Sequence, residues 1–311
     1  MNFKICIYFL LFLLFLISPK KISNKQKKII NISFTINDQY MHDFFIPLVS
    51  LLKNSDKNTV YHIYILVGEY FPPKKYKTIY NLEKIYLNCF IYIINLGKSF
   101  EGTYTRKFSH ISTYYRLKLP QICNDLNRII YMDTDTVILN DLTELYTLNF
   151  EGKYILGKLD KYTNELDKFK LYINNYINCG VLLMDLYSLR LYRYADKFMD
   201  YIINHNNEYY LPSQDQTVIN YICHDKIGIL KPVYHMWPYS NKQKCLEDNK
   251  KLKIPYDLID INKAFDSPFI IHFPGEFKYR ESYINQPFYK ILYKYIIYSV
   301  KIRLKLKKWN K

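Results

Sequence analysis

Two aspartates one residue apart, Asp133 and Asp135, close the run Arg128-Ile-Ile-Tyr-Met132, and a second apolar run, Thr136-Val-Ile-Leu139, follows at once. The β-branched and aromatic first run reads as a buried strand. Two ionised carboxylates at its end are costly beside a core unless a positive charge lies between them. A divalent cation suits that place. Mg²⁺ and Mn²⁺ prefer oxygen ligands and are commonly held by one or two carboxylates together with substrate phosphates. Alternate residues of a strand point the same way, so Asp133 and Asp135 converge on one ion if the extended backbone continues through them. The rival reading is a turn in which both side chains are solvated or cap the backbone. The tripeptide is too common to decide between these by itself, and its companions must do so.

Alternating strands and helices surround the pair. Strands are expected over 29–36, 60–67, 89–96 and 128–132. Helices are expected over 43–53, 73–87 and 109–119, the last ended by Pro120. This alternation implies an α/β fold with a parallel sheet and right-handed crossovers. Ligands in such sheets bind beyond the carboxyl ends of the strands. Asn37-Asp38, Gly68-Glu69 and Asp133/Asp135 all lie at such ends. The second half is less regular. Strands are expected over 154–157, 179–184 and 269–273, the last leaving His272 at its end, and helices over 186–204 and 214–223. With only 8 Gly and no glycine-rich phosphate loop, phosphates would be held by a metal and side chains.

The net charge of +16 is concentrated at the two ends. Residues 1–28 carry six Lys and no acid, and residues 277–311 carry ten Lys/Arg against one Glu, so the middle is almost neutral. A nucleic-acid enzyme would need basic residues around its reactive groups, and that class is set aside. A membrane-surface protein needs them only at its points of attachment. Residues 5–17 form an uncharged, nearly all-apolar run, about 20 Å as a helix and short of a ~30 Å hydrocarbon core. An uncleaved anchor, a cleaved signal and an over-long start before the folded domain all fit it. The lysines that follow outnumber the lone Lys4 ahead of it, which places the rest of the chain on the cytoplasmic face of the membrane. The tail from about residue 279 reads as a basic, aromatic, helical attachment segment. The six cysteines show no C-x-x-C pairing and sit mostly in apolar runs, as buried free thiols do.

Six segments, in order, resemble the retaining glycosyltransferases of family 8. Phe34-Thr-Ile-Asn-Asp-Gln-Tyr40 is similar to that family's first nucleotide-binding turn. His110-Ile-Ser-Thr-Tyr-Tyr-Arg-Leu-Lys-Leu119 is similar to the helix before its metal motif. Tyr131-Met-Asp133-Thr-Asp135, Asn178-Cys-Gly-Val-Leu-Leu183, Ser213-Gln-Asp215-Gln216 and Ile271-His272-Phe-Pro-Gly275-Glu-Phe-Lys278 complete the set. The resemblance covers roughly residues 30–280. It implies a GT-A fold: a single Rossmann-like domain over 29–278 with a mixed central sheet, between the apolar N-terminal segment 1–28 and the basic tail 279–311. It further implies a UDP-hexose substrate (glucose or galactose), Mn²⁺ or Mg²⁺, and transfer with retention at the anomeric carbon. The acceptor would be a saccharide of a lipid-linked surface glycan such as lipopolysaccharide.

Carried over residue by residue, the resemblance makes Asp133, Asp135 and His272 the metal ligands. It gives Asn37, Asp38 and Tyr40 contacts to uracil or ribose. Arg116, Asp160, Asn178, Gly180, Asp215 and Gln216 line the sugar pocket, with Asp160, Asn178, Asp215 and Gln216 closest to the chemistry. Gly275 and Lys278 meet the diphosphate. Each residue also has a plainer reading: His272 as a core or rim histidine, Asp215 as a helix N-terminal carboxylate, Asp160 as a surface partner of Lys158 and Lys161, and Asn178 as a turn residue. Two departures stand out. Asn37 and Gln39 occupy positions where the family often has Asp and Asn, and Tyr279-Arg280 stands where Pro-Trp is usual. Two other functions compete: a metal-dependent nucleotidyl- or phosphotransferase, and a non-catalytic, membrane-tethered sugar-binding protein.

Overall fold

Strand β1 (Lys28–Thr35) begins the sheet, and its Ile30, Ile32 and Phe34 are fully buried. The computed structural model describes residues 27–107, 109–160, 175–238, 242–251, 256–274 and 288–309. Gly275, Lys278, most of the 1–28 segment and the first part of the 279–311 tail lie outside them. The sheet order is β3-β2-β1-β4-β7-β6-β8, with β2 Thr59–Val67, β3 Cys89–Asn95, β4 Arg128–Met132, β6 Ile155–Leu159, β7 Ile177–Asp185 and β8 Ile227–Ile229. Strands β1 to β4 pair in parallel, whereas β7 runs antiparallel to both β4 and β6. The sheet is therefore mixed. Its central strands are buried on both faces, which is why they are mostly apolar, with Asn31 and Ser33 the polar exceptions inside β1.

One face is covered by helix α1 (Met41–Lys53), whose Phe44 meets Phe34 edge to face at 5.3 Å. The other face packs Tyr114, Tyr131 and Leu182 against helices α2 (Tyr194–Asn204) and α3 (Asp215–Ile222) through Phe198 and Val218. The chain leaves β1 in one direction toward β2 and β3, and β4 lies on β1's other side. The carboxyl ends of β1 and β4 thus flank the crevice where this class of sheet binds ligands.

Several expected elements differ in detail. The helix expected over 109–119 is a 3₁₀ segment, Ile111–Lys118, and Pro120 starts a short helix instead of ending one. Pro at the first turn needs no hydrogen bond there. The helix expected over 186–204 breaks at Arg193, which takes a left-handed backbone with φ of 54°. Strand β5 (Thr136–Ile138) pairs antiparallel with β9 (Ile270–His272), a contact between residues far apart in sequence. The tail is not a separate appendage throughout. Helix α4 (Tyr289–Trp309) lies against α1, burying Leu292, Tyr295 and Leu306. Asn54 donates to Tyr295 Oη at 2.6 Å and to the Ile138 carbonyl at 2.8 Å, which ties that helix to β5.

Candidate functional site

Asp133 and Asp135 converge, but not through a continuous strand. The extended backbone stops at Met132, turns through Thr134 and Asp135, and resumes as β5. The Thr136 hydroxyl closes the turn by donating to the Asp133 carbonyl at 2.8 Å. The β5–β9 register sets Thr136 opposite His272, and Phe273 N–H donates to the Asp135 carbonyl at 2.8 Å. These pairings bring His272 Nε2 to 3.2 Å from Asp135 Oδ1 and 3.9 Å from Asp133 Oδ2. One atom from each of the three residues lies within 4.8 Å of the others, the one such His/Cys/acid group among the described residues.

Arg116 stands behind this trio. Its Nη2 donates to Asp133 Oδ1 at 2.8 Å, and Tyr131 Oη donates to the same oxygen at 3.0 Å. Oδ2 is thereby left to face His272. Arg116 Nε also lies 3.0 Å from Asp215 Oδ2, while Nη1 donates to the Cys179 carbonyl and the guanidinium stacks 4.1 Å from the Tyr131 ring. Burial disfavours its charge, but Asp133 and Asp215 outweigh that cost and hold its pKa above the ordinary arginine value.

The third cluster lies between β6, β7 and α3. The Asp160 carboxylate accepts from Asn178 and from Gln216, each at 3.3 Å. Gln216 Oε1 accepts from Cys179 N–H at 3.1 Å, and Asn178 Oδ1 accepts from Gly180 N–H at 2.9 Å. Asp160 is therefore buried in a polar network, and Asn178 lies within β7 instead of in a turn. Asp215 is both the first residue of α3 and the partner of Arg116. Gly180 has a steric role: a Cβ there would fall 2.1 Å from His272 Cε1, so only glycine lets that ring lie across β7.

One cavity joins Arg116, Asp133, Asp135, Asn178, Gln216 and His272, and Gly180 and Asp215 also line it. A neighbouring one is lined by Asn37, Tyr40, Arg116 and Asp133. Asp38 lines a third, at the ends of β1 to β3, and pairs with Lys75. Asn37 Oδ1 accepts from Tyr40 N–H at 3.0 Å, so it shapes the turn into α1 as well as facing the crevice. Sequence reasoning missed Tyr131, His235 and Thr113, whose carbonyl accepts from Arg116 Nε at 3.0 Å. Each sits in an apolar or aromatic run that reads as core. His235 is fully buried and kept well below its ordinary pKa by burial first, then by His272 and Lys158.

The family model described as Glycosyl transferase family 8 matches residues 31–279. The chain belongs to this family. Among curated relatives, general stress protein A of Bacillus subtilis (strain 168) is 27% identical over 301 residues, spanning 92% of this chain and 96% of that one. A lipopolysaccharide 1,2-glucosyltransferase of Escherichia coli is 23% identical over 258 residues, covering 80% of this chain and 73% of its own length. Among solved structures, the galactosyltransferase LgtC in complex with donor and acceptor sugar analogues superposes with a TM-score of 0.65 at 16% identity, over 86% of this chain and 95% of that one. That likeness establishes the α/β GT-A-type fold.

Family 8 membership makes the chain a glycosyltransferase, and the trio fits a divalent cation. Two carboxylates and a histidine nitrogen converge, and the buried Nε2 makes no hydrogen bond. A hard cation with oxygen ligands and one imidazole meets that set. Asp215 carries a pH signature. Burial, with Asp133 reinforcing it and Arg116 opposing it, pushes its carboxyl up to about 6. If the ionised form is the working one, kcat/KM rises with pH through about 6 and then levels. Asp215→Asn is expected to be slow and to lack that limb. A limb of the same position in the variant would assign it to another group.

Proposed function

We propose that this protein is a retaining hexosyltransferase. It moves glucose or galactose from a UDP-sugar to a saccharide acceptor on a lipid-linked surface glycan such as lipopolysaccharide. The observation that carries this reading is the convergence of Asp133, Asp135 and His272 at the crevice between β1 and β4, beside the Asn178–Asp160–Gln216 network. Asp133, Asp135 and His272 would hold Mn²⁺ or Mg²⁺. The cation supplies charge neutralisation for the diphosphate leaving group.

The chain's own residues do the rest. Asn37, Asp38 and Tyr40 meet the nucleoside. Arg116 keeps Asp133 oriented and pairs with Asp215. Asp215, Asp160, Asn178 and Gln216 line the sugar, where a carboxylate favours an oxocarbenium-like transition state. Gly275 and Lys278, which follow β9 in sequence, are assigned to the diphosphate by resemblance. A relative that is a lipopolysaccharide glucosyltransferase supports the acceptor class. The deciding experiment is a screen of UDP-sugars with purified protein and Mn²⁺. We expect slow, Mn²⁺-stimulated hydrolysis of one UDP-hexose. No hydrolysis or binding of any of them would overturn the reading.

We further propose attachment at the cytoplasmic face of a membrane. No described helix is long and apolar enough to cross one. Support comes from the outer side of α4, where Tyr293, Val300 and Leu304 are exposed among Lys290, Lys294, Lys301, Lys305 and Lys308, with no acid in the helix. Each basic residue near an anionic surface contributes about 1 kcal/mol. Because Leu292, Tyr295 and Leu306 belong to the core, deleting the helix would damage the fold, so charge reversal is the cleaner test. Residues 28–311 should co-sediment with phosphatidylserine vesicles at low salt and be released by high salt. Changing Lys290, Lys294, Lys301 and Lys305 to Glu should abolish binding while leaving UDP-sugar hydrolysis intact. Equal sedimentation of both proteins would sink the proposal.

A further inference from the structure

His272 is gripped from two sides. Its Nε2 faces Asp135 and Asp133. Its Nδ1 lies 2.8 Å from Nε2 of His235, with the ring centroids 4.9 Å apart. Both rings are buried. The backbone holds them in place: Met236 N–H donates to the Ile270 carbonyl, and His272 N–H donates to the Met236 carbonyl, each at 2.8 Å. Gly180 leaves the space beneath the His272 ring.

A contact between two neutral imidazoles carries one proton, and its location decides what His272 can do. With the proton on His272 Nδ1, His235 Nε2 accepts it, and the His272 Nε2 lone pair faces the two carboxylates. With the proton on His235 Nε2, His272 Nδ1 accepts it, and His272 must carry its own proton on Nε2, which blocks ligation. Ligation requires the first arrangement, because Nε2 is the ring nitrogen that faces the two carboxylates.

We infer that His235 is a positioning residue that accepts the Nδ1 proton of His272 and so holds His272 in the tautomer whose Nε2 can ligate a cation. The cation part rests on the metal reading proposed above. A ligating histidine generally spends its second nitrogen on a carboxylate, carbonyl or water that fixes the ring. Here another histidine does so. The segment Pro232-Val-Tyr-His235-Met-Trp gives no sign of this role, because the contact is made only when Met236 bridges to Ile271.

The test uses the full chain and two readouts. In protein labelled with ¹⁵N-histidine and saturated with diamagnetic Mg²⁺, His272 should show a protonated Nδ1 and His235 an unprotonated Nε2. Mn²⁺ affinity is read by electron paramagnetic resonance of the free ion, without UDP-sugar. His235→Leu, which cannot accept the proton, is expected to weaken Mn²⁺ binding about 10- to 100-fold. His235→Asn offers a side-chain oxygen and should recover most of that loss. A protonated His235 Nε2 in the Mg²⁺-bound wild type, or unchanged affinity in His235→Leu, would overturn the role. If the leucine variant does not fold, the wild-type tautomer and His235→Asn decide. Asp135→Ala is the control: if it binds Mn²⁺ as the wild type does, the metal reading fails, while the tautomer of His272 still judges His235.

Discussion

Asp135→Ala is expected to remove Mn²⁺-dependent UDP binding and to lower kcat/KM for the UDP-sugar by roughly 10³-fold or more. The magnitude follows from what a leaving diphosphate needs. A cation at the developing charge is worth several kcal/mol, and about 4 kcal/mol corresponds to roughly a thousandfold in rate. Of the three candidate ligands, Asp135 is best placed for this test. It is almost fully buried, at 2% exposure, and its Oδ1 lies nearest to His272 Nε2. Asp133 is a poorer choice because its Oδ1 is shared by Arg116 and Tyr131, so its loss would disturb that pair as well. Calorimetric UDP titrations with and without Mn²⁺ check the expectation, with circular dichroism confirming the fold. A variant with unchanged UDP affinity and unchanged metal dependence would show that the trio is not the cation site.

The candidate metal site was legible in sequence because its chemistry is local. Two carboxylates one residue apart after an apolar run are visible without a structure, and His272 is visible as the polar end of a short strand. How they meet was not legible. An extended backbone through Asp135 was the natural expectation, yet the convergence comes from a turn and from the pairing of β5 with β9, whose registered residues Thr136 and His272 are 136 positions apart. No periodicity reports such a pairing. The break at Arg193 was hidden for a related reason. Nothing in Tyr192-Arg-Tyr194 marks a left-handed backbone, since no glycine or asparagine stands there. The 3₁₀ segment over Ile111–Lys118 shares its apolar spacing with an α-helix and cannot be told from it by pattern. Charge, by contrast, was readable only in part. The basic tail was evident, but the burial of Leu292, Tyr295 and Leu306 against α1, which makes part of it core, was not.

Arg116→Met should be the most destabilising single change at this site. The guanidinium is 4% exposed and serves two carboxylates at once, Asp133 at 2.8 Å and Asp215 at 3.0 Å. Its removal orphans buried charge, which typically costs about 3–5 kcal/mol, or roughly 10 °C in Tm for a domain of this size. The loss should depend on pH in a definite direction. Asp215 already titrates near 6 in the folded chain, against an ordinary value of 3.8. Arg116 is what lowers it, so without that charge it rises further. Between the ordinary value and the raised one, the folded state binds more protons than the unfolded state, so stability falls as pH rises through that window. The deficit of Arg116→Met should therefore be largest near pH 7 to 8 and shrink toward pH 5, where Asp215 can take up a proton. Adding Asp215→Asn in the Arg116→Met background should restore part of the neutral-pH loss, because only Asp133 then lacks the arginine's charge. Thermal melts of the wild type, the two single variants and the double variant, at pH 5 and pH 7.5, measure all of this. A Tm within about 2 °C of wild type for Arg116→Met, or a deficit that grows toward acid pH, would mean that Arg116 does not carry the charge of this pocket.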